Sequence, residues 1–206
     1  MVTPLAMDAA RRRLAAAEAL AARMAHLAQH DALTGLPNRL LLFDRLQQAL
    51  RGPRGTRGRL ALLFIDLDRF KAVNDDHGHA TGDALLRAVA GRLAERVRAS
   101  DTVCRLGGDE FVVLLSPVAD RAAAAEVGAE LSEALARPYR IDGREFTLTA
   151  SVGLALAPED GATAEALLAC ADALMFEAKR GRRETAPQRP VNLGARFSMK
   201  ARAPSR

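Results

Sequence analysis

The sequence predicts an α+β fold, a mostly antiparallel central sheet covered by helices. Leu60-Ala-Leu-Leu-Phe-Ile65 is an uninterrupted apolar run of strand length, as expected of a strand buried on both faces. Two more apolar runs, 103–106 and 111–115, flank Gly107-Gly108-Asp109-Glu110, a hairpin signal that requires antiparallel pairing. Stretches of helical spacing separate these strands, and helices alternating with a hairpin-built sheet define the class.

In chain order, 5–30 is rich in Ala, Leu and Arg without Gly or Pro. Leu20, Met24 and Leu27 share one helical face, with Leu14 close to the same stripe. Such an Ala-rich helix needs a partner: it is a coiled-coil stub leading from an upstream sensor, or a helix packed on its own domain. A helix over about 38–50 follows, then a Gly/Arg-rich loop over 51–59 and the buried strand. Leu85, Val89, Leu93 and Val97 mark a helix over 82–98. After the hairpin comes a helix over 121–136. Phe146, Leu148, Ala150, Val152, Leu154 and Leu156 then alternate with smaller or polar residues, predicting one long strand with a single core face. The last helix spans about 163–179. The organisation is therefore an N-terminal helix over 1–30, a domain over 31–184 and a basic, disordered tail over 185–206.

At 206 residues and 49% apolar content the chain suffices for one core with extensions. Its net charge of +5 is unevenly spread. Residues 179–206 hold nine of the 30 Lys/Arg and one of the 25 acids, which leaves 21 basic against 24 acidic residues in the rest. A mildly acidic domain with no Trp lacks the basic face and stacking platforms of a nucleic-acid binder. No apolar stretch approaches the roughly 20 residues of a membrane span. Two cysteines make neither a disulfide framework nor a zinc site, and no leader is evident, so a cytoplasmic protein is expected.

Two acidic clusters follow strands: Asp66-Leu67-Asp68 and Asp109-Glu110. If their strands are neighbours, about 4.8 Å apart, these carboxylates meet at one place. Carboxylates without His or Cys make a hard-oxygen site suited to Mg²⁺ or Mn²⁺. Gly107 and Gly108 permit positive φ and the close approach of another backbone or of a nucleotide. Between the clusters, the segment from Arg69 to Asp83 reads as a turn whose backbone N–H groups and Lys71 can cradle phosphates. Asn74 and Asp83 offer an amide and a carboxylate suited to a guanine edge.

These residues carry a resemblance. Asp31-Ala-Leu-Thr-Gly-Leu-Pro-Asn-Arg39, Phe64-Ile-Asp-Leu-Asp-Arg-Phe-Lys71, Asn74-Asp75, Gly78-His79, Gly82-Asp83 and Arg105-Leu-Gly-Gly-Asp-Glu-Phe111 resemble the GGDEF family of diguanylate cyclases over about 31–183. The resemblance implies a fold similar to the nucleotidyl cyclase and polymerase palm. It implies an enzyme that joins two GTP into cyclic di-GMP as a homodimer. It further implies two Mg²⁺ or Mn²⁺ ions held by Asp66, the Leu67 carbonyl, Asp109 and Glu110, with Asp109 as general base. Asn74 and Asp83 match guanine readers, His79 a neighbouring nucleotide contact, Phe70 and Lys71 the triphosphate loop, and Lys179 a phosphate-binding lysine.

Two departures stand out. Phe176 occupies a position usually Tyr, and Lys179-Arg-Gly-Arg-Arg-Glu184 is one residue short before its glycine. The phosphate-binding arginine is therefore Arg182 by motif or Arg183 by spacing. Arg98-Ala-Ser-Asp101, nine residues before Gly107, matches the family's RxxD product-inhibition site. Competing functions are a nucleotide sensor without turnover and a polymerase-like or nucleic-acid-binding protein.

Overall fold

In the computed structural model, residues 4–51 and 59–185 are described. The chain runs α1 (Pro4–Gln29), α2 (Arg39–Arg51), β1 (Arg59–Leu67), α3 (Phe70–His77), α4 (His79–Ala94), β2 (Thr102–Gly107), β3 (Glu110–Val118), α5 (Arg121–Ala136), β4 (Tyr139–Ile141), β5 (Arg144–Phe146), β6 (Ala150–Ala157) and α6 (Ala164–Thr185). The loop over 52–58 and the tail beyond 185 expected from the sequence lie outside the described residues.

Four strands form one sheet in the order β2-β3-β1-β6, with every pairing antiparallel. β1 lies between β3 and β6 and is buried from Leu60 to Leu67. Its side chains alternate between two cores, which explains why it is apolar throughout. Ala61, Leu63, Ile65 and Leu67 join Leu85, Val89 and Leu93 of α4 and Leu131 and Leu135 of α5. Leu60, Leu62 and Phe64 join Leu42 and Leu46 of α2 and Leu167, Ala171 and Met175 of α6. The sheet is thus the middle of three layers.

The single long strand expected over 146–156 is corrected. Phe146 pairs with Tyr139 in a separate β4–β5 hairpin, and β6 begins only at Ala150. The cause is the turn at Asp142 and Gly143, both with positive φ, which folds 144–146 back on 139–141. Nor does β6 have one core face: Ser151, Gly153 and Ala155 are as buried as Ala150 and Leu156. At Gly153 a Cβ would stand 2.0 Å from the Ala171 carbonyl oxygen, so α6 crosses the strand in direct backbone contact.

The turn expected over 69–83 is also corrected. It consists of two helices, α3 and the start of α4, hinged at Gly78 with φ 81°. Helix α4 stops at Ala94, so Val97 and Arg98 lie beyond it.

Among its described side chains, helix α1 lays no face on the sheet. Leu14, Leu20, Met24 and Leu27 are each 58–60% exposed. Its end is anchored by Asn38, whose amide N–H groups donate to Gln29 O (backbone, 2.9 Å) and Ala28 O (side chain, 2.8 Å). The same Asn38 caps α2, its Oδ1 accepting from Leu40 N. No described helix is long and apolar enough to cross a membrane.

Candidate active site

The two acidic clusters meet because β1 and β3 are neighbours in a register that sets Asp66 opposite Glu110. On its other side Asp66 faces Ser151, and Leu67 faces Ala150. The acid turn is tied to the end of β1 by Leu67 N, which donates to Asp109 O at 3.2 Å. Gly107 (φ 149°) and Gly108 (φ 52°) supply the conformations of the turn, so the paired glycines serve the geometry the sequence suggested.

Asp66 is buried to 7% exposure, and Lys179 Nζ reaches across from α6 to its Oδ1 at 2.5 Å. Burial is the main cause lifting the Asp66 carboxyl above the ordinary carboxylate value. The Lys179 hydrogen bond opposes the rise, and the charges of Asp109 and Asp68 add to it. Burial likewise raises Glu110, helped by the charges of Asp66, Asp109 and Asp172. Asp172, a further acid near this site, drew no notice in the sequence. It precedes Lys179 by seven residues, two helical turns, which was the available signal.

The donors fit a hard divalent cation. They are oxygens only, and their mutual repulsion is what such an ion relieves. Among the described residues no three Asp, Glu, His or Cys side chains converge on one point.

Asp68, next to Asp66, has a different task. Its carboxylate accepts from Thr149 Oγ1 (2.6 Å) and Ser151 Oγ (2.8 Å), while its backbone N donates to Thr149 O (2.8 Å). The break between β5 and β6 is what leaves Thr149 available for this.

Around Gly78, Asn74 and the first turn of α4 come together. Gly78 N donates to Asn74 O, and the Asn74 amide lies so close to Gly82 that a Cβ there would stand 1.9 Å from Oδ1. A Cβ at Gly82 would therefore displace the Asn74 amide from its place between α3 and α4. His79 and Asp83, four residues apart, share a face of α4 beside it. The Phe70 ring is 6% exposed and packs into the core, leaving its backbone as the group it offers to the loop, whereas Lys71 is exposed. Arg69 takes up a left-handed conformation (φ 59°) at the start of α3.

Arg98 and Asp101 close a turn in which Asp101 N donates to Arg98 O (3.0 Å). The Asp101 carboxylate accepts from Arg98 N (3.0 Å) and Ser116 N (3.3 Å). Two open depressions of about 350 and 320 Å³ flank it, with Arg45, Asp101 and Thr102 lining both. Arg182 Nη1 donates to Ala150 O (2.6 Å) and lies 3.4 Å from Asp68 Oδ2. The Arg183 side chain is outside the described residues.

The sheet order and the carboxylates gathered at one end of it define an α+β domain of the GGDEF fold. A family model described as "Diguanylate cyclase, GGDEF domain" matches residues 28–185, and the chain belongs to that family. It is 50% identical over 153 residues to the bifunctional diguanylate cyclase/cyclic di-GMP phosphodiesterase MucR of Pseudomonas aeruginosa, covering 74% of this chain and 22% of MucR. It is 47% identical over 160 residues to the diguanylate cyclase TpbB of the same organism, covering 77% of this chain and 37% of TpbB. The crystal structure of the TpbB GGDEF domain matches with a TM-score of 0.70 at 46% identity, over 72% of this chain and 92% of that one. The chain thus spans well under half the length of these curated relatives.

Proposed function

We propose that this chain condenses two GTP molecules into cyclic di-GMP with release of two pyrophosphates. The observation that carries the reading is the register of Asp66 with Glu110, which gathers carboxylates at the end of the central strand pair. Asp66, the Leu67 carbonyl, Asp109 and Glu110 would hold two Mg²⁺ or Mn²⁺ ions, which when bound neutralise triphosphate charge and acidify the ribose 3′-hydroxyl. Asp109 accepts the 3′-hydroxyl proton as that oxygen bonds to the α-phosphorus of the other GTP, and the bond to pyrophosphate breaks. Asn74 and Asp83 hydrogen-bond the guanine, with His79 beside them. Gly107 and Gly108 allow the nucleotide close to the turn. The Phe70 backbone, Lys71, Lys179 and Arg183 take the triphosphate.

The product is a two-fold ring, so two domains face each other in a symmetric homodimer. The apolar stripe of α1 is a coiled-coil seam between the two copies, relaying an upstream sensor. Cyclic di-GMP binds at Arg98 and Asp101 and inhibits, and the reaction takes place in the cytoplasm. Incubation with GTP and Mg²⁺ followed by mass spectrometry tests the activity, with one cyclic di-GMP expected per two GTP consumed. GTP bound but never turned over would favour the sensor function, and tight retention of DNA or RNA on filters the polymerase-like one.

A further inference from the structure

We propose that Arg182 is a positioning residue that pins the last turns of α6 to the start of β6 and thereby holds the Lys179 ammonium on Asp66. The proposal deepens the cyclase reading and rests on it for one point, that the Lys179 end of α6 borders the triphosphate. Its foundation is geometric. Arg182 Nη1 donates to the carbonyl of Ala150, the first residue of β6, at 2.6 Å, and stands 3.4 Å from Asp68 Oδ2. Ala150 is the cross-strand partner of Leu67, and Asp68 is the next residue of the chain. One guanidinium therefore braces α6 against the start of β6 and against the residue that follows β1, both beside the strand end that carries Asp66.

The short spacing after Lys179 explains how an arginine comes to do this. At 3.6 residues per turn, position 182 lies about 60° to one side of Lys179 on the helix and position 183 about 40° to the other. The missing residue before Gly181 leaves an arginine on the side that faces β6. The Asp68 carboxylate awaiting it is already held by Thr149 and Ser151, so it is a fixed anchor and not a mobile surface acid. Two acceptors in different directions suit the planar fork of arginine better than the point charge of lysine. A guanidinium so engaged is directed at protein acceptors, which leaves the phosphate-binding role to Arg183.

The test compares Arg182→Ala, Arg182→Lys and Asp68→Asn, alone and combined. Three measurements are needed: steady-state kinetics, binding of a GTP analogue with a methylene between the α- and β-phosphorus, and hydrogen exchange over 176–185. For Arg182→Ala we expect kcat to fall about tenfold while affinity for the analogue stays within about threefold, a split that separates positioning from ground-state binding. Exchange at the end of α6 should accelerate about tenfold without nucleotide, since local opening sets exchange. Adding Arg182→Ala to Asp68→Asn should change exchange less than it does alone, and Arg182→Lys should restore part of kcat. Loss of analogue affinity by about tenfold with unaltered exchange would make Arg182 a phosphate ligand and overturn the proposal. No effect on any readout would overturn it too. Failure of the wild-type chain to make cyclic di-GMP would sink the cyclase reading, while exchange and its coupling to Asp68 would still decide the clamp.

Discussion

Arg105 and Asp31, 74 residues apart, form a two-pronged ion pair that ties the end of the N-terminal helix to the acid turn. Arg105 Nη1 lies 2.9 and 3.0 Å from the two Asp31 oxygens, while Nε and Nη2 donate to Gly108 O at 3.1 and 2.8 Å. The guanidinium thus bridges the turn after α1 and the peptide immediately before Asp109. Asp31 also accepts from Thr34 N and Oγ1, and Arg105 N donates to Pro37 O.

Arg105→Ala should destabilise the domain by about 3 kcal/mol, because a nearly buried partner is removed, Asp31 keeps only its Thr34 donors and the Gly108 carbonyl loses both guanidinium N–H groups. Arg105→Lys should recover little, since an ammonium cannot span both acceptors. Burial pushes the Asp31 carboxyl up, but hydrogen bonds from Thr34 and Arg105 outweigh it and the net shift is downward. A lowered folded value means that the stabilisation is complete above the ordinary value of 3.8 and is lost as pH falls through the folded one. Asp31→Asn should therefore be destabilising at neutral pH, with the gap to wild type closing only below 3.8. Thermal melts across that range check it, and a constant gap would show that Asp31 does not stay ionised for this reason.

Both residues of that pair were visible in the sequence as motif members, yet nothing local reveals an ion pair across so long a separation. What was legible followed from periodicity and turn chemistry: the buried run of β1, the Gly107-Gly108 hairpin and α5 at its observed ends. The β4–β5 hairpin was missed although Asp142-Gly143 is a strong turn signal, because the apolar alternation continues through Phe146 into β6. Helix α3 was missed because eight polar-rich residues carry little periodicity, and what ends it is the positive φ of Gly78, with its N–H turned back to Asn74 O. The pairing of Asp66 with Glu110 was an inference conditional on strand adjacency, which only the sheet order supplies.

Asp109→Ala should abolish cyclic di-GMP formation, by a factor of about 10²–10⁴ if the side chain acts as general base alone and more if it also holds metal. The residue sits at the tip of the turn, and its backbone carbonyl, which the substitution keeps, makes the contact to Leu67 N. Circular dichroism and melting temperature should be near wild type. Near-normal turnover at saturating Mg²⁺ would remove Asp109 from the mechanism.

Gly82→Ala should raise the KM for GTP by about tenfold with a small cost in stability, because the new methyl displaces the Asn74 amide, the end of a side chain, more than any backbone. The same site should prefer GTP over ATP, since a pocket that hydrogen-bonds one edge rejects a base that leaves those groups unpaired. Initial rates with both nucleotides check this. Equal use of GTP and ATP would show that Asn74 and Asp83 do not read the base.

In the proposed mechanism each domain binds one GTP and the ring needs two, so specific activity should rise with enzyme concentration in the dilute range. Leu20, Met24 and Leu27 at 58–59% exposure provide a seam that a second copy of α1 would cover. Replacing all three by Ser should shift the activity curve to higher concentration without altering the domain's melting, whereas deleting 1–29 should give the same shift and also lose the Asn38 hydrogen bonds to Ala28 O and Gln29 O. A concentration-independent specific activity in a verified monomer would contradict the two-domain mechanism.

Added cyclic di-GMP should inhibit the wild-type enzyme through Arg98 and Asp101, and Arg98→Ala should relieve that inhibition by about tenfold or more while leaving the initial rate within about twofold. Arg98 is the informative position because its side chain is exposed, whereas the Asp101 carboxylate also holds the backbone N–H groups of Arg98 and Ser116. Asp101→Ala would therefore disturb the turn and the edge of β3 along with any ligand contact. An arginine can make paired contacts to a phosphate or to the acceptor edge of guanine, and the depressions beside Asp101 leave room for a planar base. From this turn β2 runs directly to Gly107, so product bound here lies one strand away from the acid turn. A ligand that holds two domains with their GTP sites apart must bind less well when GTP holds them together, so substrate and product should oppose each other reciprocally. Progress curves with added product, for wild type and Arg98→Ala over a range of GTP, measure both effects. Equal inhibition constants in the two proteins would reduce Arg98 to a surface residue of a hydrogen-bonded turn.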